Sequence, residues 1–146
     1  INMRRRIRMV ELAREVCDGS LVGKRVAVLG AAFKPNSDDI RDSPALNVAA
    51  QLQLQGAAVR VTDPAAGDNI RRSWPQLDAV DTPEEAADRA DAVLVLTEWQ
   101  QYRDLDPVAF GKVVGQKRML DGRNALDRDR WVAAGWTYRA LGRRAG

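Results

Sequence analysis

Apolar positions along the chain fall into two rhythms, short β-branched runs and stretches spaced in threes and fours. Residues 25–29, RVAVL, form a valine-rich run closed by Gly30, which predicts a buried strand. Ser43 before Pro44 supplies a helix N-cap and first position, and residues 45–55 continue with Leu46, Ala49, Ala50 and Leu52 or Leu54 on the buried side. Gly56 suits the residue just past that helix. Residues 58–62 predict a second strand, ended by Asp63-Pro64. So short a return makes the two strands parallel, with a right-handed crossover. The pattern repeats. Residues 77–80 read as a weak strand, and Thr82-Pro83-Glu84-Glu85 as a capping box opening a short helix to Arg89. Residues 92–97, AVLVLT, are apolar on both faces, as a central parallel strand requires. A helix follows from Asp106-Pro107 to about Val114, then a strand at 118–121. Asp127 opens a helix to Ala134, closed by Gly135, and 136–141 is the last strand. Strands alternating with helices at this pace predict an α/β open, mostly parallel sheet, doubly wound, with helices on both faces.

Residues 1–17 precede this unit. Met3, Ile7, Val10, Ala13 and Cys17 recur at helical spacing, but no N-cap stands ahead of them. A helix that starts uncapped at Ile1 suggests a segment of a longer chain; vector residues or a processed terminus give the same pattern. The division expected is 1–20 as the end of a long helix and 21–146 as one domain.

Composition narrows the chemistry. The chain has 146 residues, 45% of them hydrophobic, with a net charge of +3. That supports one full core and an anionic small-molecule ligand without requiring one. No apolar run is long enough for a membrane span, and no leader peptide is visible. The single cysteine fits a reducing compartment, and the cytoplasm is the expectation. Histidine is absent, which removes the usual general base and metal ligand and excludes a Ser-His-Asp hydrolase. No cysteine pair or acidic cluster stands at metal-ligand spacing, so no metal is expected.

In an open parallel sheet, ligands bind beyond the carboxyl ends of the strands. Lys34 and Arg41 lie on the loop after the first strand, and Arg123 follows Asp121-Gly122 past another strand end. Three cations from two loops therefore belong on one edge, where a diphosphate would meet an ammonium and forked guanidinium donors. The alternative is that Lys34 and Arg41 form solvated ion pairs with Asp38, Asp39 and Asp42 on the same loop. Asp63 stands where dinucleotide folds keep a ribose-binding acid; its other reading is a turn cap through Asp-Pro. The turn Gly30-Ala31-Ala32-Phe33-Lys34 lacks G-x-G-x-x-G. Its small residues allow close approach of a neighbour, but a cradle made only of backbone N–H groups is not expected, and a lysine-led side-chain cradle is.

The stretch GKRVAVLGAAFKPNSDDIRDSPALNVAAQLQLQGAAVRVTDPAA resembles the C-terminal, UDP-binding domain of the UDP-glucose/GDP-mannose dehydrogenase family, most nearly the UDP-glucose 6-dehydrogenases. The likeness continues in ADAVLVLTEWQQYRDLD and MLDGRNALD and covers nearly the whole chain. The resemblance implies a Rossmann-like domain preceded by the end of a long central helix that builds a dimer interface. It also implies an NAD-dependent, two-step oxidation of UDP-glucose to UDP-glucuronate. NAD is then held mainly by an N-terminal domain, and the catalytic cysteine belongs to a motif absent here. Phe33, Lys34 and Arg123 match the family's UDP-sugar contacts, Arg123 being one that can reach across from a partner subunit. Arg41 matches an arginine facing NAD. Ala31 departs from the bulkier residue common after that glycine. Cys17 lies in a different context from the catalytic cysteine and reads as a small buried residue, so no catalytic residue is assigned. The expected partners are the UDP-sugar, the absent domains and a second copy in a homodimer, with no nucleic acid and no membrane. The alternatives are an oligomerisation or scaffold module of the same enzyme, or the equivalent domain of a GDP-mannose or UDP-N-acetylmannosamine dehydrogenase.

Overall fold

The computed structural model describes residues 3–141; Ile1 and the 142–146 end of the expected domain lie outside the described residues. Six strands form one sheet: β1 (Arg25–Leu29), β2 (Ala58–Thr62), β3 (Asp78–Ala79), β4 (Ala92–Val95), β5 (Arg118–Asp121) and β6 (Thr137–Ala140). Their order is β3-β2-β1-β4-β5-β6, and every pairing is parallel. Strand addition reverses direction between β1 and β4, so the topological switch point lies beyond Leu29 and Val95.

Side-chain alternation along the central strands divides the core in two. Val26 and Val28 of β1, Ala92 and Leu94 of β4 and Leu120 of β5 face one layer. That layer is made by α1 (Met3–Val16), α2 (Pro44–Leu54) and α3 (Gly67–Ser73). Ala27, Leu29, Val93, Val95 and Met119 face the other. The second layer holds α4 (Pro83–Ala87), α5 (Gln100–Arg103), α6 (Pro107–Gly111) and α7 (Arg128–Ala133). Its far end is aromatic: Phe110 stacks on Trp136 at 6.0 Å between ring centroids, and Trp131 meets Trp136 edge-on at 4.9 Å. Burial on both faces explains why β1 and β4 carry unbroken apolar runs.

The caps behave as expected from sequence. Ser43 Oγ accepts the Leu46 N–H at 3.1 Å with Pro44 in the first turn, and Gly56 follows α2 at φ +101°. Thr82, Asp106 and Asp127 cap α4, α6 and α7 through their side chains. Helices α3 and α5 do not follow from the sequence pattern. Both start without a side-chain cap, at Ala66 and Trp99, so neither announces its first turn. Helix α6 stops at Gly111, short of Val114, and β3 has only two residues.

The expected stripe on α1 is buried at Val10, Ala13 and Cys17 but not at its first two positions. Met9, Val10, Leu12 and Ala13 are buried, while Met3 and Ile7 are 62% and 52% exposed. Met9, Val10, Leu12 and Ala13 form the inward side with Val16 packed against it, and the Met3–Ile7 edge borders a groove beside Asn47 and Gln51 of α2. On α2, Ala45 and Val48 join the core and Leu54 is 79% exposed. No helix among the described residues is long and apolar enough to cross a membrane.

These burials set contrasting costs. Leu94→Ala, in the middle of β4 and fully buried, should lose about 2–5 kcal/mol, whereas exposed Leu54→Ala should stay within about 0.5 kcal/mol. Urea unfolding of both variants checks the pair; equal losses would contradict this core.

Candidate functional site

Four loops leave the carboxyl edge of the sheet around the switch point, and two buried aspartates organise them. Asp63, at the end of β2, is 6% exposed. Its Oδ2 accepts the N–H groups of Ala31 and Ala32 at 2.8 and 2.9 Å and the Trp99 indole N–H at 3.3 Å. Its Oδ1 accepts the N–H groups of Ala65 and Ala66 at 2.9 and 3.0 Å. A buried carboxylate costs much less when its lone pairs are filled by donors, and this one is filled on both oxygens. The turn-cap reading of Asp63 is therefore the right one, and it reaches further than Asp-Pro. The amides that a dinucleotide turn would offer to a pyrophosphate are already bound to Asp63.

The first loop is tied at each step. Gly30 has φ +99°, and a Cβ on it would sit 2.6 Å from the Thr97 Cβ, so both backbone and space demand glycine. The Ala31 carbonyl accepts the Ser43 hydroxyl at 2.6 Å, and the Ala32 carbonyl accepts the Thr97 hydroxyl at 2.8 Å. Ala31 itself is fully buried, which fits a small side chain at this crossing. Phe33 N–H then donates to the Asp39 carbonyl at 3.0 Å, closing a loop over residues 33–39 with Phe33 at its base and Lys34 next along it. Phe33 is 56% exposed, unusual for so large an apolar side chain, and Lys34 is exposed. Among the described residues Lys34 enters no hydrogen bond or ion pair; its charge acts on Asp39 only through space.

Arg41, on the same loop, takes the alternative expected for it. Its guanidinium donates to both oxygens of Asp39, at 3.1 and 3.0 Å. These bonds hold the Asp39 carboxyl down to about 2, with the Arg41 backbone N–H as a further cause. The pair is solvated, the Arg41 side chain being 89% exposed, so it adds little to stability. Arg41 lines a cavity of about 530 Å³ with Arg6, Asn47 and Trp74; Lys34 and Arg123 are not in that lining.

The loop after β5 repeats the Asp63 device. Asp121 is fully buried, and its carboxylate accepts the N–H groups of Arg123, Ala125 and Leu126 and the Tyr138 hydroxyl. A Cβ on Gly122 would sit 2.9 Å from the end of the Leu96 side chain and 3.0 Å from that of Met9, so either would have to shift. The backbone thus set, Arg123 donates from Nε and Nη2 to the two oxygens of Glu98 at 2.9 and 3.1 Å. The pair is half-buried, the side chains being 26% and 22% exposed.

The sequence puts Lys34, Arg41 and Arg123 at one edge of the sheet; the parallel order places the loops after β1 and β5 on that edge, each bonded to the segment after β4. Sequence reasoning missed what joins the loops: Thr97 grips the first, Glu98 the fourth, and Trp99 the carboxylate that holds the first. The signal was the run Thr97-Glu98-Trp99 directly after the central strand. Nearby Tyr102 is buried, and burial with the Asp63 charge pushes its phenol upward, so it stays a neutral donor to the Thr62 carbonyl. Cys17 is 1% exposed, and burial raises its thiol, the opposite of an activated nucleophile. Among the described residues no group of three or more acidic, cysteine or histidine side chains is placed to hold a metal ion.

Residues 27–128 match the family model of the UDP binding domain of the UDP-glucose/GDP-mannose dehydrogenase family. A UDP-glucose 6-dehydrogenase from Rhizobium meliloti is 40% identical over 125 residues, covering 86% of this chain and 29% of that protein. A UDP-glucose dehydrogenase structure from Pyrobaculum islandicum superposes with TM-score 0.75 at 32% identity, covering 94% of this chain and 29% of its own. An NDP-N-acetyl-D-galactosaminuronic acid dehydrogenase structure from Methanosarcina mazei gives TM-score 0.82 at 30% identity, covering 95% and 29%. The chain thus spans less than a third of the length of these relatives.

The Asp39 pairing has a direct signature. Its contribution is present above the ordinary carboxylate range and is lost as pH falls toward about 2. A carbon-detected NMR titration should put the Asp39 midpoint near 2 and return it to the ordinary range in Arg41→Ala; an unmoved midpoint would contradict the pair.

Proposed function

The chain belongs to the UDP-glucose/GDP-mannose dehydrogenase family as its UDP binding domain, and we propose that it holds the nucleotide sugar in an NAD-dependent UDP-glucose 6-dehydrogenase. The substrate is UDP-glucose and the product UDP-glucuronate. The observation that carries this reading is the Lys34 ammonium, unpaired among the described residues, on a loop whose entry at Ala31 and Ala32 is fixed by Asp63, Ser43 and Thr97. A fixed loop presents its charge without the entropy of ordering it on binding. Arg123, oriented by the Asp121 loop, supplies a second, forked donor to a diphosphate in the same or a neighbouring copy. Phe33 offers an exposed apolar face next to Lys34 along the same loop.

NAD would be held mainly outside this chain. Here the first turn lacks G-x-G-x-x-G, and Asp63 is engaged by backbone amides, so neither feature that grips a dinucleotide is available. When bound, NAD supplies the acceptor for hydride from the sugar C6. Arg41, exposed on its loop, would reach the cofactor from the side. The chain's own residues bind and orient the sugar nucleotide; Cys17, buried, provides no thiol for the chemistry.

A second reading has one observation in its favour. Met3 and Ile7 stand exposed on α1, beside a groove shared with α2, which suits an oligomerisation module. Light scattering of the chain with and without UDP separates the two: association without UDP binding favours the module alone.

In the full-length protein, Lys34→Ala should weaken UDP-glucose binding by about 1.5–3 kcal/mol, the scale of a charge-assisted hydrogen bond. Isothermal titration checks it, and an unchanged affinity would sink the assignment. The isolated chain, given UDP-glucose and NAD, should form no NADH.

A further inference from the structure

Glu98 is the carboxylate that the sequence passed over, and its geometry toward Arg123 is specific. A guanidinium has five N–H donors arranged as two forks, one on the Nε–Nη2 side and one at the Nη1–Nη2 end. Glu98 takes the side fork only, through Nε and Nη2. Among the described residues, the donors on Nη1 and the outer one on Nη2 have no partner. The end-on fork is the pair of parallel donors left free, and such a pair can take a phosphate bidentately. The pair is also half-buried, and Glu98 stands between two residues that are themselves fixed: the Thr97 hydroxyl donates to Ala32 and the Trp99 indole to Asp63. Its backbone is therefore set by the same contacts that set the Phe33–Lys34 loop.

We propose that Glu98 is a positioning residue: it holds the Arg123 guanidinium by its side and presents the end-on fork to the nucleotide diphosphate. This rests on the reading of Arg123 as a nucleotide contact. The turn Thr97-Glu98-Trp99 then serves both cation loops at once, one through the Ala32 carbonyl and Asp63, the other through Arg123. The anchor carries a cost in charge, because Glu98 offsets the Arg123 cation and leaves Lys34 to supply the net positive field. The account requires that fixed direction outweigh this offset.

The test is a double-mutant cycle in the full-length protein, with UDP as the probe and calorimetric dissociation constants as the readout. Arg123→Ala should weaken UDP binding about tenfold or more, and Glu98→Gln, which keeps size but loses the charge and one of the two acceptor oxygens, should weaken it about tenfold. In the Arg123→Ala background, Glu98→Gln should weaken binding no further, because its role passes through Arg123. A merely structural role would instead add its loss in both backgrounds, and that result overturns the proposal. Tighter or unchanged UDP binding in Glu98→Gln also overturns it, since Glu98 would then be a competitor or a bystander. Unchanged binding in Arg123→Ala overturns the underlying reading of the site instead, so the two failures are distinguishable. Should Glu98→Gln fold poorly, Glu98→Asp tests the same point: the shorter carboxylate keeps the charge but not the reach, and should also weaken UDP binding.

Discussion

The carboxylate of Asp63 is the constraint on which this domain's ligand edge depends. A charge that is 6% exposed survives only because five N–H groups point at it. Two of those belong to the turn after β1, two to the turn after β2, and one to the indole after β4. One side chain thus joins the two loops at the switch point to a third. The consequence is chemical as well as structural. The doubly wound sheet keeps its crevice, but the amides that bind pyrophosphate in dinucleotide folds have an internal anion in place of an external one. An anion at this edge would then find the Ala31 and Ala32 amides already taken.

Those side chains are not equivalent. Arg41 is solvated and neutralised by Asp39, Arg123 is half-buried and anchored by Glu98, and Lys34 stands without a partner among the described residues. Proximity to a strand end does not by itself make three cations one site; their pairing separates them. The two buried aspartates, Asp63 and Asp121, play the same part on opposite flanks of the β1–β4 crevice. Each turns the chain that follows or faces it into a fixed platform, and neither is exposed enough to meet a ligand.

Much of this was legible in the sequence. Strands read correctly where burial on both faces produced unbroken apolar runs, as at Val26–Val28 and Val93–Val95, and helices read correctly where a side-chain cap marked them, as at Ser43 and Asp127. Legibility failed where those signals were missing. Helices α3 and α5 begin on Ala66 and Trp99, which cap nothing with their side chains. The stripe on α1 holds at Val10, Ala13 and Cys17 and fails at Met3 and Ile7, which share its helical spacing but stay exposed. Periodicity reports which residues share a face, not which part of that face finds a partner. Glu98 was invisible for a different reason: a glutamate after a strand acquires meaning only when Arg123, 25 residues later, is seen in its grasp.

The most direct measurement is a crystal structure of the full-length protein with UDP bound. The account predicts diphosphate oxygens within hydrogen-bond distance of the Lys34 ammonium and of the end-on fork of Arg123, from the same or a neighbouring copy, with Glu98 still on the side fork. A nucleotide seated away from the carboxyl edge of the sheet, touching neither cation, would contradict it.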